Sequence, residues 1–90
     1  MAKILISYDL NQPGRDYPRI TERIKQIGAA WCHPLESVWI VMVDAQVTAV
    51  RDDLLRHVDQ SSKLLVVDIT SDPMAWSGMA TDASRWLSAN

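Results

Sequence analysis

Six consecutive residues, Val38 to Val43 (VWIVMV), carry no polar side chain. A run this short, bounded by the turn-forming Glu36-Ser37 and Asp44 and rich in valine, reads as a strand rather than a helix. Successive strand side chains point to opposite faces, so Val38, Ile40 and Met42 lie on one and Trp39, Val41 and Val43 on the other. A strand that is apolar on both faces needs cover on both. Helices on one face leave the other to be covered by something else. A second copy of the chain is the simplest expectation, with Trp39, Val41 and Val43 as its interface.

The segments around this strand fall into an alternating order. Lys3 to about Leu10 (KILISYDL) alternates Ile4, Ile6 and Tyr8 against Leu5, Ser7 and Asp9, a strand that runs into the turn residues Asn11, Pro13 and Gly14. Tyr17, Ile20, Ile24 and Ile27 recur at helical spacing. Asp16 is expected to cap that helix, Pro18 to sit in its first turn, and Gly28 to end it. Ala29 to His33 reads as a short strand, at a sheet edge because Pro34 cannot donate to a ladder. After the apolar run, Asp44 is the expected cap of a second helix with Val47, Val50, Leu54 and Val58 as its stripe. On its outer face Asp52 is spaced to pair with Arg56, and Asp53 with His57. Lys63 to Ile69 (KLLVVDI) is the fourth strand. Asp72-Pro73 breaks the pattern, and Thr81 to Leu87 reads as a last short helix with Ala83, Trp86 and Leu87 on its apolar side.

Strand, helix, strand, strand, helix, strand is the ferredoxin-like α+β arrangement βαββαβ. Right-handed crossovers then give a four-stranded antiparallel sheet in the order 4-1-3-2. Residues 1–70 form this domain and residues 71–90 a short C-terminal appendage. The topology places Asp9 beside Ser37 and Lys63, and Asp68 beside Lys3. Asp9 and Asp68 therefore lie at opposite ends of the sheet and share no ion within a protomer.

Composition excludes several classes. The net charge is −2. A chain that grips nucleic acid through many phosphates carries a basic surplus, so any such binding needs a local patch, a metal ion or a protein partner. Cys32 is the single cysteine, which rules out an intramolecular disulfide and fits a reducing, cytoplasmic setting. No stretch approaches the ~20 apolar residues of a membrane helix. The N-terminus has no charged segment leading into a long apolar run, as a signal peptide would. At 48% hydrophobic residues the chain has material for a core and a second buried surface, again pointing to a homodimer.

Asp9 is the leading candidate for chemistry, because it is a carboxylate where a buried strand meets solvent. One carboxylate is a poor Mg²⁺ site, since that ion prefers six oxygens in octahedral geometry. Two copies of Asp9 across a dimer axis make a better one, and the matching activity is metal-dependent phosphodiester hydrolysis. The alternative is a strand-end Asp that hydrogen-bonds the backbone of the next turn. Arg15, Arg19 and Arg23, spaced by four, form either a basic stripe for nucleic acid or an ordinary solvated helix face. Cys32 and His33 are strand neighbours facing opposite ways, so they make neither a joint metal site nor a nucleophilic pair. The isolated glycines form no phosphate loop. Trp39 is expected in a core or interface, and Trp76 either folds back over the sheet or reaches a partner.

ILISYDL at the start and SVWIVMV at Ser37 to Val43 resemble the first and third strands of the CRISPR-associated Cas-two-type proteins. The second helix followed by SSKLLVVDI fits their order too, so the likeness spans about residues 3–69. The same small fold is shared with the virulence-associated D ribonucleases and a GhoS-type antitoxin ribonuclease. The chain is also similar to short bacterial proteins that open ISYDLN-x-PG and carry a WxH segment. The resemblance implies a homodimer whose open sheet faces meet. It also implies a metal-dependent endonuclease site, on RNA or DNA, with Asp9 as the matching carboxylate and Mg²⁺ shared across the dimer. In the CRISPR adaptation setting of antiviral defence it implies a structural role, bridging integrase subunits on DNA. Two features are the chain's own: no charge between Leu10 and Gly14, and a tail carrying Trp76 and Trp86. A different class of function, a non-catalytic dimeric module that binds a protein partner in a toxin–antitoxin or phage-defence setting, is the second expectation.

Overall fold

The computed structural model describes residues 1–90. KILISYD becomes β1 (Ala2–Asp9), followed by α1 (Pro13–Ile27), β2 (Ala30–Leu35), β3 (Val38–Val43), α2 (Val47–Leu55), β4 (Lys63–Asp68) and α3 (Thr81–Ala89). The strands form one sheet in the order β2-β3-β1-β4, and every neighbouring pair is antiparallel. This is the ferredoxin-like βαββαβ arrangement. It follows from two strand–helix–strand units whose crossovers return the chain to the same sheet.

The helices cover one face. Ile4, Ile6 and Tyr8 of β1 and Trp39, Val41 and Val43 of β3 meet Ile20 and Ile24 of α1 and Val50 and Leu54 of α2 in a single buried core. This corrects the interface expected of Trp39, Val41 and Val43. All three are buried within the protomer against its own helices, so they offer no surface to a second copy.

The other face also differs from expectation. The C-terminal segment folds back across it. Leu87 of α3 packs on Cys32 and Ile40, with Leu5, Ile69, Met74, Trp76, Ala83 and Trp86 around them. Within the tail Trp76 Nε1–H donates to Ser84 Oγ at 3.1 Å, and Lys3 Nζ donates to the Asn90 carbonyl at 3.1 Å, which ties the end of the tail to β1. The apolar second face of β3 is thus covered by the chain itself, not first by a partner. Cover is incomplete towards β4 and the start of β3. Leu65 is 59% exposed, Val67 38% and Leu35 54%.

Local signals shifted in three places. The α1 cap is Gln12, with Pro13 opening the helix, so Asp16 lies inside it and Pro18 falls in the second turn rather than the first. Pro18 there has no N–H for the Gly14 carbonyl. The α2 cap is Gln46 rather than Asp44, and the helix ends at Leu55, short of Val58. β2 runs through Pro34 to Leu35 with an irregularity after Cys32, and it lies at the sheet edge, where a proline is tolerated.

Candidate functional site

β1 is a central strand, and its last residue is Asp9. Alternation along β1 sends Asp9, with Ser7, Leu5 and Lys3, to the face that the tail partly covers. Asp9 is paired in register with Lys63 of β4. On its other side the Tyr8 N–H donates to the Ser37 carbonyl at 3.2 Å. Asp9 therefore stands between Ser37 and Lys63, as the topology required. It borders two shallow depressions. One, of about 380 Å³, is lined by Tyr8, Leu10, Pro13, Tyr17, Glu36 and Ser37 besides Asp9. The other, of about 210 Å³, is lined by Ser7, Tyr8, Asp9, Lys63, Leu64 and Leu65.

The Asp9 side chain is exposed and takes part in none of the ion pairs of the molecule. It does not cap the turn that follows. The Asn11 N–H instead donates to Ser62 Oγ at 2.9 Å, and Asn11 Nδ2 donates to Asp59 Oδ1 at 3.3 Å. The carboxylate is consequently free for a ligand. No group of three His, Cys, Asp or Glu side chains is placed to hold a metal ion. Asp9 has the right donor chemistry for Mg²⁺, but one protomer supplies too few such donors.

Asp68 lies at the far end of the sheet, where the Ile69 N–H donates to the Lys3 carbonyl at 2.8 Å. Its carboxylate accepts from the Thr70 N–H at 2.9 Å and the Thr70 hydroxyl at 2.6 Å, which lowers its pKa. It is no partner for Asp9 within the protomer.

The arginine stripe is not a free basic surface. Arg15 Nε donates to Asp16 at 2.8 Å and its Nη2 lies 3.5 Å from Asp59. Arg19 lies 3.7 Å from Asp16. Arg23 forms a two-pronged pair with Asp53 at 2.7 and 2.6 Å. Asp16 is a sequence neighbour of Arg15 and Arg19, whereas Asp59 and Asp53 are distant in the chain and only the fold brings them to Arg15 and Arg23. Just past α2, His57 reaches Asp53 at 3.7 Å as the spacing predicts, whereas Asp52 pairs with Arg51 rather than Arg56.

The aromatic frame beside Asp9 escaped sequence reasoning. Trp39 Nε1–H donates to the Tyr8 hydroxyl at 3.0 Å, and the Tyr8 and Tyr17 rings meet edge to face at 6.0 Å. His33 stacks on Trp39 at 3.8 Å, and its Nε2 and the Tyr17 hydroxyl both donate to the Glu36 carbonyl, at 2.9 and 3.0 Å. Burial pushes the Tyr8 hydroxyl up to about 12. Cys32 points to the opposite face, under α3, where burial raises its thiol pKa. The alternation of β2 had already separated Cys32 from His33.

Compared with family models, curated proteins and solved structures, the chain matches none.

Proposed function

We propose that the chain works as a homodimeric nucleic-acid-processing protein, a metal-dependent endonuclease of the Cas-two-like kind, with Asp9 of each copy at the dimer axis. The observation that carries this reading is the free, exposed Asp9 carboxylate at the end of the central strand. The incompletely covered strip of the sheet supports the dimer. Ser7 and Leu65 lie on the same face as Asp9 and next to it, and Leu65, Val67 and Leu35 are exposed. A two-fold contact over that strip brings the two Asp9 side chains towards each other. Together they would hold Mg²⁺, which supplies Lewis-acid polarisation of a phosphodiester. Lys63 is paired in register with Asp9, and its ammonium is suited to a backbone phosphate.

The test is cleavage of labelled RNA and DNA with Mg²⁺ or Mn²⁺ and with EDTA, beside Asp9→Ala. Cleavage that needs the ion and is lost in the variant is expected. Cleavage unchanged by the substitution, or no cleavage at all, sinks the catalytic reading.

One observation favours a second reading, a non-catalytic dimeric module that binds a protein partner in a toxin–antitoxin or phage-defence setting. Arg15, Arg19 and Arg23 are all held by acidic residues of the same chain, so they make no open track for phosphates. Under this reading the exposed Leu65 and Val67 remain the contact surface, and Asp9→Ala leaves partner binding intact.

A further inference from the structure

We propose that buried Asp16 is a positioning residue that sets the place of Asp9 through a latch joining the β1–α1 turn to the α2–β4 loop. The inference rests on the reading of Asp9 as a ligand-binding carboxylate. Asp16 is fully buried. One of its carboxylate oxygens accepts from Arg15 Nε at 2.8 Å, and the other accepts from the Asp59 N–H at 2.6 Å. Arg15 Nη2 also reaches that second oxygen, at 3.4 Å, and the docked loop adds the shortest of its bonds.

Asp59 spreads the constraint. Its side chain accepts from the Ser61 N–H at 2.8 Å and from Asn11 Nδ2 at 3.3 Å, and its carbonyl accepts from the Ser62 N–H at 2.9 Å. Ser62 in turn accepts the Asn11 N–H at 2.9 Å. Asn11 is two residues after Asp9, and Ser62 is one residue before Lys63, the strand partner of Asp9. Both neighbours of Asp9 are therefore tied to a single buried carboxylate. Asp9 itself makes no side-chain bond, so this latch and the strand ladder are what fix its backbone.

The sequence hides the arrangement because Asp16, in α1, and Asp59, in the α2–β4 loop, are 43 residues apart.

The experiment uses the full chain and three variants: Asp16→Asn, which keeps the shape and removes the charge, Ser62→Ala, which removes only the acceptor for Asn11, and Ile24→Ala, which weakens the core without touching the latch. Each is shown folded by circular dichroism at low temperature before use. Amide exchange at Asn11 and paramagnetic broadening of the Asp9 signals by Mn²⁺ are then followed by NMR. In Ser62→Ala exchange at Asn11 quickens by about tenfold, as loss of its one acceptor implies, and in Asp16→Asn it quickens as the Asp59 loop that carries Ser62 loosens. More Mn²⁺ is then needed to broaden Asp9. Ile24→Ala is less stable yet keeps the parent response to Mn²⁺, which separates positioning from general loosening. Parent-like exchange at Asn11 in both latch variants overturns the proposal, and so does a parent-like Mn²⁺ response. If Asp16→Asn does not fold, Ser62→Ala decides alone. If Mn²⁺ broadens nothing near Asp9 in the parent, the metal reading of Asp9 fails, while exchange at Asn11 and the Asp9 chemical shifts still decide the latch.

Discussion

Gly28 ends α1 with φ −129° and ψ 178°, an extended conformation open to any residue. Its glycine is required by space. A Cβ would press on the Met42 carbonyl, which already accepts the Ala29 N–H at 2.9 Å. Gly28→Ala therefore forces β3 or the start of β2 to shift, with an expected loss of about 1–3 kcal/mol in urea unfolding. A variant as stable as the parent would show that the backbone yields freely. Tyr8 gives a pH signature. Its folded-state pKa, about 12, lies above the ordinary 10.0 because burial disfavours the phenolate. The neutral form is thus favoured by folding. Its contribution is whole below pH 10.0 and is lost as the pH rises through about 12. Ultraviolet titration of the folded protein should show a tyrosine ionising near 12 that disappears in Tyr8→Phe.

The two sides of the sheet rest on elements of unequal strength. Towards α1 and α2 the core is continuous, with Leu54, Ile20 and Ile24 fully buried. Leu54→Ala is expected to cost about 2–5 kcal/mol of global stability by thermal or chemical unfolding. Towards α3 the buried apolar cluster is only Cys32, Ile40 and Leu87. Leu87→Ala should act locally instead, raising amide exchange in α3 well before it changes the main unfolding transition. Equal effects of the two substitutions on the main transition would contradict this division. The periodicity of each element was legible, because burial imposes it: Ile20 and Ile24 on α1, Val50 and Leu54 on α2, and the alternation of β1. The helix starts were less so. Asp16 and Asp44 have the chemistry of caps, but the chain turns at Gln12 and Gln46, where no side chain bonds the helix end.

On the scale of the whole molecule, the question is what meets the exposed strip of Leu65, Val67 and Leu35. If a second copy meets it, Leu65→Asp should convert a dimer to a monomer in light scattering while leaving the far-ultraviolet circular dichroism unchanged. A parent protein that remains monomeric at high concentration removes the dimer and with it the shared ion. No helix is long and apolar enough to cross a membrane.

The sequence by itself determined the order of elements, the antiparallel sheet and the place of Asp9 beside Ser37 and Lys63. Strand alternation, helical spacing and crossover handedness are local or topological rules, and they need no knowledge of contacts. Tertiary structure alone decided which face of VWIVMV meets the helices, since both faces are apolar and the pattern is symmetric between them. It also decided that the tail, through Leu87 and Trp76, covers the second face. Likewise, Arg15 reaches Asp59 and Arg23 is bound to Asp53. Those outcomes depend on groups distant in the chain, and only folding sets the distance between them.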